Sequence, residues 1–324
     1  MAGVFCVHLW VISTDHTGDP LASRLQSYID TVLDAFIASS VTESSPAAAG
    51  WQAHLSLACQ RSADRTVARR CRHQGPLTIQ RALYPEGDGT AHFYLLHPPG
   101  GLVQGDRIEI DVSVDAGAQA LITTPSAAKL YRTPAGGTYQ QATLAVRAQG
   151  SLEWLPQEAI LFDGASGHVG LTLELAADAR VIAWDAWVLG RAAAGERFEQ
   201  GLYDNRLSVI IDGQLHWQER TRVVGSRDSP MQDAAWGLAG HNVLGTLIAY
   251  GGPHVIDNDV VETVRAALID INGQVGVTRI DDLLVVRILC SDTRVLHRVM
   301  HDAWQVLRPR VMSRPVVTPR IWAT

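Results

Sequence analysis

Apolar and polar residues alternate with a period of two along most of the chain after Trp51. The clearest run is residues 107–115. Ile108, Ile110, Val112 and Val114 fall on one face, and Arg107, Glu109, Asp111, Ser113 and Asp115 on the other. That period predicts a half-buried strand. Leu55 and Leu57 alternate in the same way, residues 75–81 predict a short strand, and Phe93-Tyr94-Leu95-Leu96 predicts a buried one. A unit then recurs: an alternating strand, a small polar turn, a second apolar strand. It reads Val112 to Gly117 into Ala120-Leu121-Ile122, then Leu144-Ala145-Val146 into residues 150–154. The next copies are residues 171–175 into 180–184, and Val209-Ile210-Ile211 into Leu215-His216-Trp217. In the last copy Asp212-Gly213 has the sequence of a type I′ turn. The expectation is a mainly β protein of layered or stacked sheets built from repeated hairpins. The uneven spacing argues against a strict solenoid.

The pattern changes towards the end. Residues 260–268 predict a helix, and 276–278 and 283–289 predict strands. Leu296, Val299, Met300, Ala303, Trp304 and Leu307 recur at helical spacing after Ser291-Asp292, with Pro309 expected to stop the helix. The chain therefore divides into a β-rich body over 51–250 and a smaller α+β part over 251–324. Residues 1–50 stand apart. Leu25, Ile29, Leu33 and Phe36 have helical spacing, but a Ser-, Pro- and Ala-rich stretch follows and ends at Gly50, as in a linker. This region is read as a weakly ordered extension with a possible short helix. The last residues, Pro319-Arg320-Ile321-Trp322, are too apolar for a free end and are expected to dock on the body or on a partner.

Composition narrows the function classes. The 324 residues carry 47% hydrophobic and 19% charged side chains, enough apolar material for a substantial core. A net charge of −6 gives no electrostatic reason to expect nucleic acid or an anionic membrane. Cys6, Cys59, Cys71 and Cys290 are scattered without a C-x-x-C, which suits a reducing, cytoplasmic setting. No apolar stretch approaches the ~20 residues of a membrane span. The nine tryptophans serve either core packing or interface anchoring.

Candidate chemistry is sparse. Residues 97–106, His97-Pro98-Pro99-Gly100-Gly101-Leu102-Val103-Gln104-Gly105-Asp106, combine prolines that fix φ with glycines that release it. A shaped loop follows, with Leu102 and Val103 dipping into the core. It holds no nucleophile, no thiol pair and no phosphate-cradling spacing. His297 and His301 have the i, i+4 spacing of a chelating pair, yet flank the apolar stripe and read better as solvated residues. Carboxylates in apolar surroundings are more informative. Asp185 lies within Val181-Ile182-Ala183-Trp184-Asp185-Ala186-Trp187-Val188-Leu189, and Glu158, Glu196 and Glu219 sit in comparable places. A charge there is costly unless paired or solvated. Each acid could pair with Arg191, Arg197 or Arg220, or several could line a wet internal path that hands on a hydrated divalent cation. The stretch 123–132 breaks off a strand with hydroxyls and a proline, then shows small residues with Lys129 and Arg132.

These segments together resemble the urease accessory protein D family. The matching pieces are residues 75–81, Tyr84-Pro85-Glu86, 97–106, 124–132, Leu152 to Glu158, Leu161 to Ala165, Trp184-Asp185 and Leu189-Gly190-Arg191. Gly195-Glu196-x-Phe198, Trp304-x-x-Leu307-Arg308-Pro309 and Pro319 to Trp322 complete the set. They cover about residues 51–324, whereas the first 50 have no counterpart. Gln104 and Ser126 stand where the family usually has glycine. The resemblance implies a non-enzymatic chaperone that joins F-type and G-type accessory proteins and delivers nickel to apo-urease through an internal tunnel. It binds no cofactor tightly, with Ni2+ only in transit. On that pattern Asp106, Asp185 and Glu219 are the acids expected nearest the nickel route, with Thr124, Lys129 and Glu196 behind them. Asp185 and Glu219 are the expected metal contacts. A different class remains in view: a carbohydrate-processing enzyme on layered sheets, with Glu158 and Asp163 as paired acids.

Overall fold

A computed structural model describes residues 50–323. The proposed helix at Leu25 to Phe36 lies outside the described residues. Two sheets carry the body. The smaller has seven strands: β1 (Gln52–Ser62), β2 (Arg65–Gln74), β5 (Arg107–Val114), β8 (Thr138–Val146), β11 (Ser166–Leu175), β13 (Leu202–Ile211) and β14 (Gln214–Val224). The larger has ten. These are β3 (Thr78–Ile79), β4 (Ala91–Leu96), β6 (Gln119–Thr123), β9 (Ser151–Leu155), β12 (Arg180–Leu189), β15 (Val243–Tyr250), β16 (Gln274–Ile280) and β17 (Leu283–Cys290), with short β7 (Ala128–Leu130) and β10 (Ala159–Leu161) beside β12. The helices are α1 (Pro230–Asp233), α2 (Asn258–Ala267) and α3 (Thr293–Leu307).

The molecule is mainly β and layered, with the helical part at its C-terminal end, but the recurring unit differs from the expected hairpin. In the first three copies the two strands do not pair with each other. β5, β8 and β11 lie parallel in the smaller sheet, and β6, β9 and β12 lie parallel in the larger. Each strand–turn–strand unit is thus one coil that crosses between sheets. Only the fourth copy forms a hairpin: β13 and β14 are antiparallel around Asp212 and Gly213, both at positive φ (48° and 79°). The physical reason is depth. Both strands of a coil bury apolar side chains between the sheets, so each takes its backbone partners from the next coil. The register makes this concrete. Leu57, Val112, Leu144, Leu173 and Val209 are successive partners across five strands, and each is at most 3% exposed. The alternation read in residues 107–114 is present, with Ile108, Ile110, Val112 and Val114 buried.

The other face of the larger sheet is covered by α2 and α3. Asp257 caps α2 by accepting the Val260 amide, and Asp292 caps α3 by accepting the Arg294 amide. Leu296, Val299, Met300, Ala303, Trp304 and Leu307 are all buried, as their spacing predicts. Pro309 ends the α-helical ladder but not the helical path: Arg308–Met312 forms a π-helical turn. Beneath this turn lies a buried ionic cluster. Arg308 and Glu153, both fully buried, bond through Nε at 3.0 Å, and Arg308 also bonds Glu86. His92 meets Glu86 at 2.6 Å, Trp304 donates to Glu153 at 2.7 Å, and Arg314 reaches Glu153 at 3.4 Å. The apolar tail docks on its own body. Trp322 stacks on His301 with ring centroids 4.4 Å apart and donates Nε1–H to the Thr123 hydroxyl at 2.9 Å. Of the tryptophans, Trp154, Trp184, Trp187, Trp217 and Trp304 are core, whereas Trp51 and Trp236 are exposed.

Candidate functional site

The row of residues that crosses the larger sheet at Asp185 departs from its apolar surroundings. Asp185 on β12 is register partner to Thr246 on β15, and Thr246 is partner to Arg287 on β17. From the facing sheet Asn205 on β13 donates Nδ2–H to Asp185 Oδ2 at 2.6 Å, and Trp187 donates Nε1–H to the same oxygen at 2.6 Å. No arginine bonds Asp185 among the described residues.

Two cavities meet there. The larger, about 380 Å³, lies between the coils beneath the 97–106 loop and is bordered by His97, Gly100, Thr124, Ser126, Trp154 and Asp185 among others. The smaller, about 70 Å³, is bordered by Asp185, Asn205, Glu219, Gln274 and Arg287. Both are large enough for water. Asp185 and Trp187 border both cavities. The partial accessibility of Asp185 is therefore accessibility to these cavities, within a carboxylate otherwise enclosed by protein.

That enclosure dominates its titration. Burial pushes the Asp185 carboxyl up to about 6; the bonds from Trp187 and Asn205 oppose the rise and the nearby Glu219 charge adds to it. The carboxyl is mostly ionised at neutral pH and poised to gain a proton just below it. Glu219 is held differently. Arg287 donates from Nε at 2.7 Å and from Nη2 to the same oxygen, Oε2, and its guanidinium lies 5.8 Å from the Trp217 ring centroid. His97 at the larger cavity has its pKa lowered by burial, partly offset by the Asp106 charge.

The structure separates the remaining sequence-selected residues. Asp106 borders neither cavity. Its carboxylate accepts the Trp51 and Val103 amides, each at 2.8 Å, and so closes the loop. This corrects the expectation for Val103: Leu102 is 1% exposed and Val103 is 51% exposed, because Asp106 holds the Val103 backbone at the surface. Within the loop, a Cβ on Gly101 would come within 2.4 Å of the Tyr131 ring, and Gly105 has φ +84°. Pro98 and Gly100 border the larger cavity; Pro99, Gly101 and Gly105 do not. Gln104 has a specific task, accepting the Ala135 amide at 2.8 Å. Thr124 accepts the Gln157 amide at 2.8 Å beside the larger cavity. Lys129 borders neither cavity and contributes its carbonyl to the Leu102 amide. Glu196 is drawn away to Arg191, at 2.6 Å, in a surface recess.

The paired-acid arrangement does not form. Glu158 bonds His297 at 2.8 Å beneath α3, and Asp163 accepts the Glu199 and Gln200 amides at 2.8 Å each. Neither member of the i, i+4 histidine pair is simply solvated: His297 is tied to Glu158 and His301 lies under Trp322. Among the described residues no group of three or more His, Cys, Asp or Glu side chains is arranged to hold a metal. Sequence reading passed over Arg287 and Asn205. Arg287 carries the same signal as Asp185, a charge inside an apolar strand, Leu283-Leu284-Val285-Val286-Arg287-Ile288-Leu289. Asn205 carries none, because its importance arises only when β13 faces β12.

Fold and site together define a helix-backed β-coil protein enclosing an acid-bordered cavity. A family model described as UreD urease accessory protein matches residues 52–323. The chain is 41% identical over 274 residues to the urease accessory protein UreD of Pseudomonas fluorescens strain Pf0-1, covering 85% of this chain and 95% of that one. It is 41% identical over 291 residues to the namesake from Hahella chejuensis, covering 86% and 92%. With that of Klebsiella aerogenes it shares 39% identity over 279 residues, covering 86% and 99%. The chain belongs to the UreD urease accessory protein family, and is an accessory protein in urease maturation, not an enzyme. That removes the carbohydrate-processing alternative. No described helix is long and apolar enough to cross a membrane.

Proposed function

We propose that this chain is a scaffold and nickel conduit. It works in the cytoplasm with the F-type accessory protein and the G-type GTPase, and it delivers Ni2+ to apo-urease without holding it tightly. The observation that carries this reading is the place of Asp185, which borders both cavities and is bonded by neutral donors only. A carboxylate with neutral hydrogen-bond partners can exchange them for a hydrated divalent cation, whereas an arginine-locked one must first lose a salt bridge. The hydroxyls and amides around the larger cavity supply further oxygen donors of the kind that suit passing, weakly held cations.

The test is Asp185→Asn in the full chain, expressed with the urease genes and their accessory partners. The reading expects urease of low nickel content and low specific activity, with the variant as abundant and folded as the parent. Urease with full nickel content would overturn it.

A further inference from the structure

We propose that Arg287 is a displaceable counter-ion that controls divalent-cation entry to the Asp185–Glu219 region. The proposal rests on the conduit reading and adds a residue to it. Arg287 is the single Lys or Arg among the described residues bordering the two cavities. It occupies the ground a cation would take, with two of its nitrogens on one oxygen of Glu219. The charge count gives this position its meaning. With Asp185 and Glu219 ionised and Arg287 in place, the smaller cavity carries one net negative charge. With Arg287 withdrawn it carries two, which matches a divalent ion. A guanidinium in a partly buried site repels such an ion more than one in bulk water would, because burial weakens the screening.

The fold leaves a place for the withdrawn side chain. The register partner of Arg287 on β16 is Gly276, and a Cβ built there meets nothing within 4 Å. Partner side chains in an antiparallel pair share a face, so this open space lies beside Arg287. β16 is also the edge strand of its sheet, which gives a long side chain room to turn outwards. Arg287 thereby links the two sheets at rest, from β17 to Glu219 on β14, and releasing it costs one partly buried ion pair.

Two variants of the full chain test this. Arg287→Gln removes the charge and keeps a donor; isothermal titration with NiCl2 should show at least fivefold tighter binding than the parent, and Arg287→Gln combined with Glu219→Gln should cancel the gain. Gly276→Val fills the landing space while leaving the ion pair intact; urease activation in cells should drop several-fold with unchanged thermal stability. Nickel binding by Arg287→Gln no tighter than the parent overturns the proposal, as does full activation by Gly276→Val. Either failure is separable from failure of the conduit itself, which would appear as full activation by Asp185→Asn.

Discussion

Asp185 and Arg287 stand in one transverse row of the larger sheet, two strands apart with Thr246 between them, and each interrupts an otherwise apolar strand. Opposite charges placed so close are expected to pair. Here they do not: Arg287 turns to Glu219 and Asp185 to Asn205 and Trp187. The unpaired acid at the meeting of two cavities is the feature from which the functional reading follows.

That acid should cost stability at neutral pH. Its carboxyl titrates near 6 in the fold against 3.8 outside it. Between those values the native state holds a proton that the unfolded chain has lost. This contribution to stability therefore falls as pH rises from about 4 through 6. The difference corresponds to at most about 3 kcal/mol. Asp185→Asn, whose amide oxygen still accepts from Asn205 and Trp187, should melt higher than the parent at pH 7.5, and the gap should close towards pH 4. Thermal melts across that range decide it; a lower melting temperature at pH 7.5 would contradict the burial argument.

Arg308→Met should behave in the opposite way. Glu153 would be left in a fully buried position with only Trp304 and a distant Arg314 to answer it. Breaking one side of such a pair costs about 3–5 kcal/mol. Chemical denaturation should show a loss of that size, and combining it with Glu153→Leu should recover part of it.

Asp106→Ala removes the acceptor for two backbone amides at once, those of Trp51 and Val103. Losing hydrogen bonds to a charged group costs about 1.5–3 kcal/mol each. Because the carboxylate closes a surface loop, the expected result is loosening of residues 97–106 with a smaller global loss. Amide hydrogen exchange should rise at Val103 and its neighbours while the Leu144 region stays protected.

Trp322→Ala should uncover His301. The imidazole pKa is lowered by burial first and by the His297 charge second, and Trp322 stacks on it at 4.4 Å. Removing the indole should bring the His301 pKa back towards 6.5, read from the ring proton shifts in NMR, with a melting temperature a few degrees lower. An unchanged pKa would mean that the indole does not create that burial.

Much of this architecture was legible in the sequence because its causes are local. Period-two alternation located β5, and helical spacing with Asp292 as cap located α3. The pairing of strands was not legible. A strand–turn–strand segment looks the same whether it folds into a hairpin or crosses between sheets, and only Asp212-Gly213 carried the local signal of a true hairpin. The site divided along the same line. Asp185 is visible as a charge in an apolar run, and Arg287 carries the same signal. Asp106, which the family resemblance places near the nickel route, accepts the amides of Trp51 and Val103, a contact that depends on Trp51, distant in sequence. The Glu219–Arg287 pair spans 68 positions and two sheets, so no local pattern announces it.

The cluster beneath the π-helical turn has one more implication, for the order in which the protein is made. Arg308 bonds Glu86 across 222 positions, and Arg314 bonds Thr90 across 224. Until residues 293–314 have been made, Glu86 and Glu153 have no guanidinium to meet, and the larger sheet lacks the cover of α3. A nascent chain must wait with that surface bare, slow to mature and prone to aggregate. Residues 308–314 then act as the fastening that completes this cluster.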